Sequence, residues 1–300
     1  MISQNLSGKK IPRRYFEGWY FKQQNGAETV ALIPAFHVNK EGHPSASLQV
    51  ITNDAAHQID FSADEFLANR KDMTIRLGDS FFSRHGCRLH VKNKSHSLQG
   101  VLHFSDFTKP SYDMMGPFRF VPFMECRHSV FSLWHRVDGM LSLNGRDIRF
   151  HAGTGYAEGD RGVSFPQRYV WTQCSWSTNS VMLSVADIPF GNGSFIGCIG
   201  SIYLHGTEHR LATYLGVKLL HISSDTVLVR QGEWMLKVRL LKSVPLVLRA
   251  PDHGSMVRSI YESASCQVRY TCTLGKTTVF DFVSDTGSFE SNWEEKRFGL

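Results

Sequence analysis

Apolar and polar residues alternate one for one along much of this chain, and that rhythm restricts the fold more than any other feature. Met73, Ile75 and Leu77 alternate with Thr74 and Arg76, and Val181, Leu183 and Val185 repeat the pattern. Trp234, Leu236, Val238 and Leu240 alternate with Met235, Lys237, Arg239 and Leu241, and Val268, Tyr270, Cys272 and Leu274 with Arg269, Thr271 and Thr273. A period of two sends successive side chains to opposite faces of an extended chain, so each segment predicts a strand with one buried face. Asn144-Gly145, between Leu141/Leu143 and Ile148/Phe150, is the strongest hairpin signal; Gln231-Gly232, Gly206-Thr207 and Gly191-Asn192-Gly193 are weaker ones. Helix is expected only over Ala63–Arg70 and Ser288–Arg297. Many short strands with frequent turns predict an all-β protein built of barrels or sandwiches, with few short helices.

Three hundred residues suit either two domains of ordinary size or one large one. A net charge of +6 without a long Lys/Arg block leaves no footprint for nucleic acid, although a weakly basic surface suits anionic membranes or acidic ligands. The opening MISQNLSGKKIPRRYF has no apolar segment and does not read as a signal peptide. No run reaches the roughly 18 apolar residues of a membrane span. Six scattered cysteines without a CxxC pair read as reduced thiols filling a core, which predicts a cytoplasmic protein, with peripheral membrane contact left open.

Two stretches mix aromatic rings with polar groups in a way that a plain core strand does not need. Gly153–Trp176, GTGYAEGDRGVSFPQRYVWTQCSW, carries Tyr156, Phe165, Tyr169, Trp171 and Trp176 among Glu158, Asp160, Arg161, Arg168 and Gln173. Tyr15–Lys22, YFEGWYFK, carries Trp19 and Tyr20 beside Glu17. Aromatic walls with a few convergent polar groups are what a pocket for an apolar small molecule requires. Trp19 and Phe21 of the first stretch can be laid near Tyr169 and Trp171 of the second, an offset of 171 − 21 = 150 residues. That spacing predicts a duplication, with domains over residues 1–150 and 151–300.

These stretches also carry a resemblance. EGWYFK, the mid-chain run from Gly155 to Cys174, MECRHSVFSLWH (Met124–His135) and HRLATYLG (His209–Gly216) together resemble the tocopherol cyclase family, in order and over nearly the whole chain. That family resembles the lipocalin-like proteins that include carotenoid hydratases and some Diels–Alder cyclases. The resemblance implies two tandem lipocalin-like β-barrel or sandwich domains, an apolar pocket and a reaction without a cofactor. In that reaction a prenyl double bond is protonated and a phenolic oxygen closes a ring. It further implies Glu158, Asp160 and Gln173 as the polar set, and Trp19, Tyr20, Tyr156 and Trp171 as aromatic walls that stabilise a passing cation. The chain departs from the family at Arg161, which puts a cation where an aromatic residue is usual. A non-catalytic carrier of a lipid, quinone or pigment, and an isoprenoid hydratase, use the same pocket.

The residues themselves leave the acid open. Glu158 and Asp160 lie two apart, so an extended chain turns both to one face, where proximity would raise one carboxyl's pKa; Arg161 and Arg168 are the competing partners. His128 and His135 sit an odd number of residues apart and so face opposite sides of one strand; either, with Glu125 as neighbour, could act as a general acid. Glu17, among aromatic residues, calls for a proton or for Arg13 or Arg14. His205-Gly206-Thr207-Glu208-His209 matches HxxEH, a zinc pattern that needs a helix; here it falls on a predicted hairpin tip, and no metal is expected. No phosphate loop, dinucleotide fingerprint or GxSxG is present. The expected partner is a hydrophobic small molecule; the sequence leaves the oligomeric state open.

Overall fold

The alternating segments form strands in both halves of the computed structural model, which describes residues 13–293 apart from Ala27, Phe123 and Asn192. The first half contains β1 (Tyr15–Asn25), β2 (Glu28–Val38), β3 (Pro44–Ile51), β4 (Ala56–Phe61), β5 (Phe66–Asn69), β6 (Thr74–Leu77), β7 (Ser80–Ser83), β8 (Gly86–Lys92), β9 (Ser97–Phe104), β10 (Cys126–Leu143) and β11 (Arg146–Gly162). The second contains β12 (Tyr169–Trp176), β13 (Asn179–Phe190), β14 (Gly193–Leu204), β15 (Thr207–Ala212), β16 (Lys218–Ile222), β17 (Thr226–Gln231), β18 (Trp234–Lys242), β19 (Leu246–Asp252), β20 (Ser255–Leu274) and β21 (Thr277–Ser291). Helix among the described residues amounts to short 3₁₀ turns at Ala63–Glu65, Gly116–Phe120 and Thr213–Leu215. The chain is thus all-β, and none of its described helices is long and apolar enough to cross a membrane. The six cysteines form no disulfide.

Each half folds into one antiparallel sheet, and the two sheets repeat one strand order. The first runs β4-β3-β2-β1-β11-β10-β9-β8-β7-β6-β5 and the second β15-β14-β13-β12-β21-β20-β18-β17-β16, with β19 paired to β20. In both, the first four strands form a meander and the opening strand then pairs with the last strand of its half. β1 therefore corresponds to β12, β11 to β21 and β10 to β20. The overlay of Trp19 on Tyr169 and Phe21 on Trp171 does not hold residue by residue, because Trp19 and Phe21 enter the first core whereas Tyr169 and Trp171 lie between the sheets. Residue 150 lies inside β11, and the chain passes from the first sheet to the second between Gly162 and Tyr169.

The predicted hairpin at Asn144-Gly145 forms: Leu143 pairs with Arg146, and both turn residues have positive φ, 51° and 85°. That conformation matches the twist of the flanking strands and suits Asn-Gly. The predicted helices do not form. Only Ala63–Glu65 makes a single turn, after which Phe66 and Ala68 bury on alternate positions of β5 and Phe66 pairs with Leu77. Burying an aromatic side chain in the first core outweighs a weak helical preference. Ser288–Ser291 completes β21, with Gln173 opposite Ser288, and residues 294–297 lie outside the described residues.

Three apolar cores result. One lies within the curl of the first, barrel-like sheet around Phe21, Phe36, Phe66 and Phe82, and one within the second around Val229, Val238, Val268 and Tyr270. The third lies between the sheets and draws Tyr20, Val130 and Tyr156 from the first half and Tyr169, Trp171 and Ile260 from the second. Polar bonds pin this seam. The buried Lys22 ammonium donates to Gln173 Oε1 (3.0 Å), Ser288 Oγ (2.6 Å) and the Thr286 carbonyl (3.2 Å). Gln49 donates to the Arg249 carbonyl and accepts from the Arg249 amide. Burial lowers the Lys22 pKa to about 8, opposed by nearby acidic groups.

The β19–β20 turn closes the seam at Gly254, whose amide donates to the Val163 carbonyl at 2.7 Å. Its φ is +79°, and a Cβ there would stand 2.1 Å from the Val38 carbonyl oxygen and 2.5 Å from the Tyr15 nitrogen. Gly254→Ala is expected to destabilise the fold by about 1–3 kcal/mol, the range for a strained backbone, before any cost of parting the sheets. Urea unfolding followed by tryptophan fluorescence measures this; an unchanged midpoint would show that the turn relaxes freely.

Candidate active site

Strand alternation decides which of the candidate residues meet. On β1, Phe16, Gly18 and Tyr20 face the space between the sheets; on β11, Glu158 and Asp160 do so. β11 sits between β1 and β10, with Tyr20 opposite Glu158 and His128 opposite Asp160. These residues line a cavity of about 190 Å³ whose remaining walls are largely aromatic and aliphatic, including Phe165, Tyr169, Trp171 and Phe195. Tyr20 meets Trp171 edge to face at 5.6 Å, and Phe16 meets Phe165 at 5.4 Å.

The polar centre of the first-sheet wall is His128. Its Nδ1 lies 3.0 Å from Asp160 Oδ1, and its Nε2 lies 3.3 Å from Glu158 Oε2. The first contact is a hydrogen bond; the second has ion-pair distance without hydrogen-bond alignment. Glu158 Oε2 also accepts from Tyr156 Oη (2.5 Å) and, across the seam, from Trp171 Nε1 (3.2 Å). Burial opposes charge on the imidazole, but attraction to Asp160 and then to Glu158 outweighs it, and its pKa rises well above 6.5. An imidazolium held between two carboxylates is a proton stored on the wall of an apolar cavity. Burial first, and neighbouring carboxyls second, hold the Tyr20, Tyr156 and Tyr169 hydroxyls neutral, as donors.

A second polar centre stands on the wall of the other sheet. Glu262 of β20 and Glu290 of β21 are direct cross-strand partners and both line the cavity. Glu262 accepts from Tyr20 Oη at 3.0 Å and Glu290 from Tyr169 Oη. Burial pushes both carboxyls up; repulsion from Glu262 adds to this at Glu290, and at Glu262 the Tyr20 hydrogen bond opposes it while repulsion from Glu158 adds to it.

The remaining candidates fall elsewhere. Glu17 and Arg161 are opposite each other in the β1–β11 register, on the face turned from the cavity. Glu17 pairs with Arg70, not with Arg13 or Arg14, and accepts from Tyr15 at 2.9 Å, because the β5–β6 turn carries Arg70 over it. Trp19 is core, 5.9 Å from Phe66. Tyr156 backs Glu158 without lining the cavity, and Gln173 is one step too far along β12, in the seam with Lys22. Glu125 is half-buried outside the cavity lining. His135 packs between Phe104 and Phe107 in the first sheet, where burial lowers its pKa to about 3.

The HxxEH segment is a hairpin, with His205 and Gly206 at its tip. His209 stacks on Trp234 at 4.5 Å, and Glu208 binds Arg210 and Ser111. Among the described residues, the grouping with metal-ligand spacing is His128, Glu158 and Asp160. Its two carboxylates address different nitrogens of one ring, an arrangement that suits a proton better than one cation, which would take a single nitrogen. Sequence reasoning missed Glu262 and Glu290. The signal for Glu262 was present: it continues, in phase, the buried set Ile260, Ala264, Cys266, Val268 and Tyr270.

No protein-family model matches the chain, and no curated protein matches it. Solved structures do match in fold. A crystal structure of a Nitrosomonas europaea protein provisionally named AttH aligns with a TM-score of 0.54 at 13% identity, over 93% of this chain and 92% of that one. Kievitone hydratase from Nectria haematococca aligns with a TM-score of 0.55 at 10% identity, over 93% and 89%. The chain shares the fold of both proteins.

His128 is expected to remain protonated at neutral pH in nitrogen-15 NMR spectra, and Asp160→Asn to lower its pKa. A folded value above that of the unfolded chain means that the ion group stabilises the fold in full below about pH 6.5 and loses that contribution as pH rises through the raised value. A His128 ring neutral at pH 7 would overturn this assignment.

Proposed function

We propose that the protein is an acid–base catalyst that protonates a carbon–carbon double bond of a prenylated quinol or related isoprenoid and closes a ring, in the manner of the tocopherol cyclase family. The observation that carries the reading is the His128 imidazolium clasped by Asp160 and Glu158 on the wall of an otherwise apolar cavity. His128 Nε2 gives its proton to one alkene carbon, and the cation forms on the other. The faces of Tyr20 and Trp171 and the charge of Glu158 stabilise that cation. The quinol oxygen then forms the new C–O bond, and its proton returns to His128. Asp160 orients the ring through Nδ1. The change is an isomerisation and needs no external electron donor or acceptor. Tight walls keep water from the cation.

Hydration differs only in the nucleophile, with water taking the place of the quinol oxygen. Sharing a fold with a protein named as a hydratase keeps that outcome in view. A carrier would use the same walls without turnover.

Incubation with a panel of prenylated quinols, followed by chromatography, separates these readings. Ring-closed product is expected from the parent protein; a hydrated product would identify a hydratase, and binding without product a carrier. Glu158→Gln, Asp160→Asn and His128→Gln should keep binding but lose roughly 10²–10⁴-fold in turnover, the share that general-acid catalysis supplies. Full activity in all three would place the acid elsewhere.

A further inference from the structure

The proton-transfer reading uses one wall of the cavity and leaves Glu262 and Glu290 without a task. Their placement is not that of incidental core residues. They are 4% and 7% exposed, lie directly opposite each other on β20 and β21, and line the cavity. Each accepts a tyrosine hydroxyl at one oxygen, Glu262 from Tyr20 and Glu290 from Tyr169. Among the described residues, no side chain or amide bonds the second oxygen of either. Two buried carboxyls this close and this dry do not both ionise, so at least one keeps its proton. With one oxygen occupied by a tyrosine donor, the protonated oxygen is left to donate into the cavity. The repeated strand order strengthens the point. β20 and β21 correspond to β10 and β11, so each sheet presents one polar group from the same pair of strands to the shared space.

We infer that Glu262 and Glu290 form an oxygen-binding subsite that donates a hydrogen bond to a carbonyl oxygen of the otherwise apolar ligand. This rests on the reading above only for the apolar character of that ligand. The subsite fixes the molecule on the second sheet's wall while the His128 group acts from the first. It selects, among apolar molecules of one shape, those that carry a hydrogen-bond acceptor, because a buried donor left without a partner is costly. A neutral carboxylic acid kept protonated by an apolar site is an established way to make such a donor.

Other ionisable groups face this pair. Tyr20 and Lys22 come from β1, Glu158 and Asp160 from β11, Tyr169 from β12, His128 from β10, and Arg258 from β20 beside the Tyr169 ring. The test must separate their titration from that of the glutamates.

Calorimetric titration with two probes of nearly one shape does so: geranylacetophenone, which carries a carbonyl, and geranylethylbenzene, which does not. The parent protein should prefer the ketone roughly tenfold near pH 6, the size of one net hydrogen bond. The preference should weaken as pH rises and the pair gives up protons. The E262Q/E290Q protein should keep the preference, since an amide still donates, but hold it constant with pH. The E262M/E290M protein should bind both probes alike. No preference in the parent, or a pH dependence that survives in E262Q/E290Q, overturns the inference, and the amide variant decides the matter if the methionine variant does not fold. The readout is binding without turnover. Loss of the ring-closure reading therefore leaves the ketone preference intact, and loss of the preference leaves the ring-closure assay untouched.

Discussion

Everything at the cavity depends on a pairing that each sheet makes between strands far apart in sequence. β1 must find β11, and β12 must find β21, before either half has a continuous sheet. Such pairings are entropically expensive because long loops must close first, so register has to be specified strongly. The alternation does this. A one-residue slip of β1 would turn Glu17 and Trp19 into the cavity and drive Tyr20 into the first core. In the register formed, Tyr20 stands beside Glu158, and on the other side of the seam Trp171 stands beside Glu290.

The seam accepts an unusual amount of buried polarity. Lys22, Glu158, Glu262 and Glu290 are all nearly fully enclosed. A buried charge is tolerated only where it is paired and hydrogen-bonded, and Lys22 meets three acceptors. Around the cavity, compensation is divided. His128 faces Asp160 and Glu158 as an ion group, whereas Glu262 and Glu290 have, among the described residues, only neutral tyrosine donors and are pushed toward their protonated forms. The two walls of the cavity thus place their carboxyl groups in different surroundings, one beside an imidazole and one beside tyrosine hydroxyls.

The cavity also joins the halves mechanically. Trp171 from β12 donates to Glu158 from β11, and Tyr20 from β1 donates to Glu262 from β20. Each sheet therefore positions a polar side chain of the other. Motion of one sheet against the other would loosen both centres together, which couples the precision of the site to the apolar core and polar bonds of the seam.

The sequence by itself determined the strand class, the Asn144-Gly145 hairpin and the common face of Glu158 and Asp160. All of these follow from local rules: a period of two, a turn that demands positive φ, a spacing of two along an extended chain. Single residues with a long-range partner were not legible. Glu17 and Trp19 read as pocket residues beside Tyr20 because an aromatic-rich stretch does not reveal which alternate face meets the ligand. Ala63–Arg70 reads as helix until Phe66 is given a core to enter. His128 joined Asp160 and Glu158, and Glu262 joined Glu290, only through cross-strand register, since a side chain's charge and partners are set by groups more than a hundred residues away or on a neighbouring strand. Tertiary structure decided the site because burial and proximity, which fix where protons reside, belong to the packed sheets and not to any segment of the chain.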